Sequence, residues 1–86
     1  MPEISRFFGI AIKMYWDDHN PPHFHAFYAD EQALIDITTL SIFAGRLSPR
    51  ALGLVVEWAN LHQAELRADW QRAQGQETLN AIDPLR

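Results

Sequence analysis

The chain has 86 residues, 48% of them apolar and 21% charged, with a formal net charge of −4. That composition excludes an intrinsically disordered chain, which combines low hydrophobicity with high net charge, and the negative balance argues against general affinity for nucleic acid. The absence of cysteine excludes disulfides, thiolate nucleophiles and zinc–thiolate sites.

The length suits a single domain, residues 1–86, with a modest core in which three Trp act as large anchors. Met1–Arg6 lacks the basic-then-apolar pattern of a signal peptide, and no apolar run approaches the ~20 residues that span a bilayer. A cytoplasmic protein without membrane contact is therefore the expectation, because a secreted domain of this size ordinarily needs disulfide staples. The net charge falls in residues 1–45, where Arg6 and Lys13 face Glu3, Asp17, Asp18, Asp30, Glu31 and Asp36. Residues 46–86 balance five Arg against five acids. An acidic half suits a metal or a basic partner, and equally an ordinary solvated surface.

In chain order, Phe7-Phe8-Gly9 reads as a core entry with a glycine bulge. The first strand is Ile10 to Trp16, whose even positions Ile10, Ile12, Met14 and Trp16 are all apolar, a period of two with one buried face. Asp17 to Pro22 has loop chemistry, since Asp and Asn bond their own backbone and Pro22 holds Pro21 away from helical geometry. His23 to Tyr28 is the second strand. Ala29-Asp30-Glu31 is a tight turn, Gln32 to Ile37 the third strand, Thr38 to Ser41 a further turn, and Ile42 to Ala44 a short fourth strand. Consecutive short strands with short connections predict an antiparallel meander over about residues 9–45.

The period then changes. Ser48-Pro49 reads as N-cap and first helical residue. Leu52, Val55, Val56, Ala59, Leu66, Trp70 and Ala73 hold one helical phase up to Gly75. Residues 49–74 form one long helix of about 39 Å, at ~1.5 Å per residue, or two helices broken near Asn60-Leu61-His62. Trp58 and Trp70 read as core anchors and His62 as a half-buried, hydrogen-bonded side chain. The tail, 76–86, is weakly structured, with Leu79, Ile82 and Leu85 spaced to pack back onto the body. The expected fold is α+β: a three- to four-stranded antiparallel sheet with the helical segment across one face.

The segment richest in chemistry is Asp17-Asp18-His19-Asn20-Pro21-Pro22-His23-Phe24-His25. His23 and His25 lie two apart on a strand and leave the same face, opposite Phe24, Ala26 and Tyr28. The two prolines reduce the loop's freedom and so the entropy lost on holding its side chains. Three readings stay open. A metal site would use His19, His23 and His25 with Asp17 or Asp18, a donor set that suits zinc or another divalent transition ion, although H-x-x-x-H-x-H is no standard zinc spacing. A metal-free acid/base site would pair His23 with His25, with Asp18 as carboxylate and Arg6 or Lys13 stabilising charge on a phosphodiester. The third reading is ordinary loop and strand histidines.

The opening Met1-Pro2-Glu3-Ile4-Ser5-Arg6-Phe7-Phe8-Gly9-Ile10, the run Tyr15 to His25 and the later Glu57-Trp58-Ala59-Asn60-Leu61-His62, Glu65-Leu66 and Trp70 together resemble a family of small bacterial proteins, domain-of-unknown-function family 4160. The resemblance covers nearly the whole chain. It implies a two-gene arrangement with a small partner of domain-of-unknown-function family 2442, similar to a toxin–antitoxin module in which this chain is the toxin-like component. RNA or the translation machinery is the target such a role implies, against which stands the acidic balance of the chain. Arg6, Asp17, Asp18, His19, His23 and His25 are the matching motif positions. The expectation is thus a toxin-like component acting through Asp17–His25, by phosphodiester chemistry if it is an enzyme. The competing expectations are a non-catalytic docking module, with Tyr15, Phe27 and the histidines as the patch, and a small histidine-rich metal-binding domain.

Overall fold

A computed structural model describes residues 3–86; Met1 and Pro2 of the opening motif lie outside them. Five strands, β1 (Glu3–Phe7), β2 (Ile10–Lys13), β3 (His23–Tyr28), β4 (Glu31–Asp36) and β5 (Ile42–Gly45), are followed by α1 (Pro49–Leu61) and α2 (Gln63–Gln74). The sheet is an antiparallel meander in the order β1-β2-β3-β4-β5. The α+β class holds, with five strands where three to four are expected. The added strand is β1. Its burial does not alternate, because the pairing with β2 shifts between Glu3 and Ser5, so period-two patterning misses it.

The register places Ile10 and Ile12 of β2, Phe24 and Ala26 of β3, and Ala33 and Ile35 of β4 on one face. All six are fully buried, as are Val55, Trp58 and Ala59 of α1. The Trp58 ring sits 5.3 Å from that of Phe7 and 5.9 Å, edge-on, from that of Phe24, so α1 covers this face through a single large anchor. The first strand is shorter than its periodicity suggests. Met14 keeps its buried place beyond Lys13, but the Trp16 indole N–H turns away to donate to the Glu77 carbonyl at 2.7 Å.

The helical segment is broken. His62, at φ −125° and ψ 24°, closes α1 and opens α2. The side chain of Ser48 makes no capping bond; instead its backbone N–H donates to the Glu31 carboxylate at 2.8 Å, while Pro49 takes the first helical position as expected. At the far end Gly75 stops α2, yet the left-handed residue is Gln76 (φ 61°). Glu77 N–H bonds Arg72 O and Gln76 N–H bonds Ala73 O, the two bonds of a Schellman motif.

The tail has no regular structure but is pinned. Ile82 is buried and its N–H donates to Ile4 O at 2.8 Å, the Trp58 indole donates to Asp83 O at 2.7 Å, and Asn80 N–H donates to the buried Asp69 carboxylate at 2.9 Å. Among the described residues no helix is long and apolar enough to cross a membrane. For the site, the important placement is that of α2. Gln63 Nε2 donates to Ile37 O at 2.8 Å and Gln74 Nε2 to Asp18 O at 3.2 Å, so α2 runs past the end of the sheet where the β2–β3 loop emerges.

Candidate metal centre

The β2–β3 loop is held at both ends. Pro22 O accepts the Ile37 N–H at 3.0 Å, which ties the loop to the end of β4, and Gln74 ties Asp18 to α2. This restraint brings Asp18 over the first residues of β3, where His23 and His25 project from the face opposite Phe24 and Ala26.

Both imidazoles are buried, with side chains only 6% and 11% exposed. Burial on this face comes from aromatic neighbours. The His23 ring lies 5.3 Å from Trp70 of α2 and 5.2 Å, edge-on, from Phe43 of β5. The His25 ring lies 4.6 Å, edge-on, from Tyr15 and is stacked on Phe27 at 6.3 Å.

Hydrogen bonding assigns the ring protons. His23 Nδ1 is 2.7 Å from the Pro21 carbonyl oxygen, which can only accept, so Nδ1 carries a hydrogen. In the neutral ring Nε2 is then a bare lone pair. Among the described residues it has no hydrogen-bond partner, and it faces Asp18 Oδ2 at 3.3 Å. The same oxygen lies 3.0 Å from His25 Nε2, which donates to it, while the Gln32 amide nitrogen approaches His25 Nδ1 at 3.4 Å. An imidazole lone pair and a carboxylate oxygen repel unless a proton or a cation sits between them. A buried polar atom left in this state costs about 1–3 kcal/mol. The cluster is therefore arranged for a positive charge at its centre.

Among the described residues, Asp18, His23 and His25 are the group whose ligand atoms converge, all within 4.8 Å of one another. Two imidazoles and one carboxylate suit a divalent transition ion. The second contact of His23 has the form usual for a metal ligand, a ring N–H given to a backbone carbonyl.

The other residues singled out in the sequence lie elsewhere. Asp17 and His19 are exposed and outside the cluster. Arg6 is on β1, two strands and about 10 Å from β3 at ~4.8 Å per strand. Its guanidinium is paired with Glu3 at 2.7 Å. That pairing, first through the side-chain hydrogen bond, raises the Arg6 pKa and holds the Glu3 carboxyl below its ordinary 4.5. Lys13 is the cation nearer the cluster, in register with His25 and with Nζ 4.9 Å from the Phe27 ring centre. His62 bonds Glu65 at 2.6 Å and rests beside Trp58. Gln32, Trp70 and the Pro21 carbonyl are contributors that motif spacing does not indicate, whereas Tyr15 stands with the histidines in the docking patch expected from the sequence. For Gln32 a signal exists, because counting back from the Ala29-Asp30 turn pairs it with Phe27 and so puts it on the histidine face.

A family model described as "domain of unknown function (DUF4160)" matches residues 9–71, which include the whole cluster and Trp70. No curated protein and no solved structure matches the chain.

Proposed function

The chain belongs to domain-of-unknown-function family 4160, and we propose that it binds a divalent transition metal ion through Asp18, His23 and His25. The observation that carries this reading is the bare Nε2 of His23, buried and aimed at the Asp18 carboxylate, with Nδ1 already committed to Pro21. Three protein ligands leave positions open, the arrangement of catalytic rather than structural sites. An ion held there supplies Lewis acidity and lowers the pKa of a bound water. Asp18 and the two imidazoles hold the ion, and the ring wall of Tyr15, Phe27, Phe43 and Trp70 limits water on the sheet side. Hydrolysis of a phosphodiester is the reaction class this suits, in keeping with the toxin-like role and family-2442 partner that the resemblance implies.

The test is a titration of the purified protein with zinc, manganese and nickel, read by calorimetry and by the histidine ring signals in NMR. Joint movement of His23 and His25, with His19 and His62 unmoved, is the expected result. A flat titration for all three metals would remove the reading. The Asp18–His25 hydrogen bond would then favour the second one, in which a proton shared among Asp18, His23 and His25 serves acid/base chemistry.

A further inference from the structure

The metal reading places a demand on His25 that the structure meets in one place. As it stands, His25 Nε2 carries a hydrogen and donates it to Asp18, and Nδ1 accepts from the Gln32 amide. To serve as a ligand, Nε2 must give up that hydrogen, and the neutral ring then carries its proton on Nδ1. A buried Nδ1–H needs an acceptor. Tyr15 and Phe27 present aromatic surfaces to the ring, Lys13 alongside can only donate, and the side chain whose polar end lies against Nδ1 is Gln32.

A primary amide answers both states. Its nitrogen donates and its oxygen accepts, and a half-turn about the last side-chain bond exchanges them. The backbone that carries it is held. Gln32 is in register with Phe27, its carbonyl accepts the Arg46 N–H at 2.9 Å, and Gly45 crosses close against it. The amide can turn while its Cα stays in place.

Resting on the metal reading, we infer that Gln32 is a positioning residue: it selects the tautomer of His25, donating to Nδ1 in the metal-free chain and accepting from Nδ1–H when Nε2 binds metal. Glutamate at this position can only accept, so it holds a hydrogen on Nδ1 in advance. Leucine does neither.

The experiment compares wild type, Gln32→Glu and Gln32→Leu in the full chain. The side chain of Gln32 is exposed, so both variants are expected to keep the fold, checked by their amide spectra. Two readouts are taken at one pH: the 15N shifts of the His25 ring without metal, and zinc affinity by chelator competition. The inference expects His25 to carry its hydrogen on Nε2 alone in wild type and to carry one on Nδ1 in Gln32→Glu. It expects zinc affinity about 10- to 100-fold weaker in Gln32→Leu, the usual effect of losing such a partner, and equal to or above wild type in Gln32→Glu. Equal zinc affinity in wild type and Gln32→Leu, or equal loss in both variants, overturns it while leaving the metal reading intact. If wild type binds no zinc the metal reading falls, and the ring shifts still decide: a His25 tautomer that Gln32→Glu leaves unchanged overturns the tautomer role.

Discussion

Asp18 Oδ2 stands 3.3 Å from His23 Nε2 with no hydrogen bond between them, while the same oxygen takes a hydrogen bond from His25 at 3.0 Å. One carboxylate oxygen thus serves two rings, satisfied by one and opposed by the other. With neither a proton nor a cation between them this contact is a cost to the fold, and either one relieves it.

Asp18→Asn separates those two states. An amide nitrogen at that place can donate to His23 Nε2 but can no longer accept from His25 Nε2–H, so one bond is exchanged for another and the metal-free variant should lie within about 1 kcal/mol of wild type, the worth of one hydrogen bond. Zinc at about 100 times its Kd should stabilise wild type by ~2.7 kcal/mol, on the order of 10 °C in thermal midpoint for a chain of this size. The variant should gain little. Thermal melts of both proteins with and without zinc are the check, and an equal zinc-induced shift would count against Asp18 as a ligand.

Trp58 is fully buried against Phe7 and Phe24, and its indole N–H holds Asp83 O. Trp58→Ala should cost about 3–5 kcal/mol. Trp58→Phe keeps most of the apolar contact and loses the bond to the exposed Asp83, so it should cost less, about 0.5–1.5 kcal/mol for the hydrogen bond. It should also release the tail. Chemical denaturation gives the first quantity, and faster amide exchange at Ile82 reports the second, since its N–H bonds Ile4 O.

Gly45 has φ +76°, and a Cβ there would fall inside contact distance of the Gln32 carbonyl oxygen. Gly45→Ala combines left-handed strain with a backbone clash, together at least about 2 kcal/mol. Because the clash is with Gln32, the variant should also disturb the His25 ring signals. Gly53, which has open space around its Cα, is the control: Gly53→Ala lies within α1 and should stabilise by roughly 0.4–1 kcal/mol.

The Arg6 guanidinium beside Glu3 holds that carboxyl below its ordinary 4.5, with Lys13 adding a smaller pull. A carboxyl whose pKa is depressed by folding adds stability above its unfolded value, and that stability is lost as pH falls through the folded value. Both side chains are exposed enough for solvent to screen the pair, so the effect on the fold is small. An NMR titration should find the Glu3 midpoint below 4.5, moving back toward it in Arg6→Gln. An unchanged midpoint would show that the ion pair does not persist in solution.

The amino-acid order alone determined the meander and the helical segment, because each rests on local periodicity. Ile10, Ile12 and Met14 alternate, His23 to Tyr28 is bounded by prolines and a turn, and Ser48-Pro49 opens a run of apolar residues at helical spacing. It also determined that His23 and His25 share a face, since two residues apart on a strand can do nothing else. β1 was not legible, because the shifted pairing at Ser5 erases its alternation. The break at His62 was only one of two readings, since apolar phase continues across it.

Only the tertiary structure decided the site. Motif spacing treats Asp17, Asp18 and His19 alike, and it is the clamp of the loop between β4 and α2 that turns Asp18 inward and leaves Asp17 and His19 exposed. The burial of the histidines was equally hidden. It depends on Phe43 and Trp70, which arrive from β5 and α2, and the bare His23 Nε2 depends on a carbonyl aimed by the loop. Local pattern sets which face a side chain leaves by. What meets it there is set by the packing of elements distant in sequence.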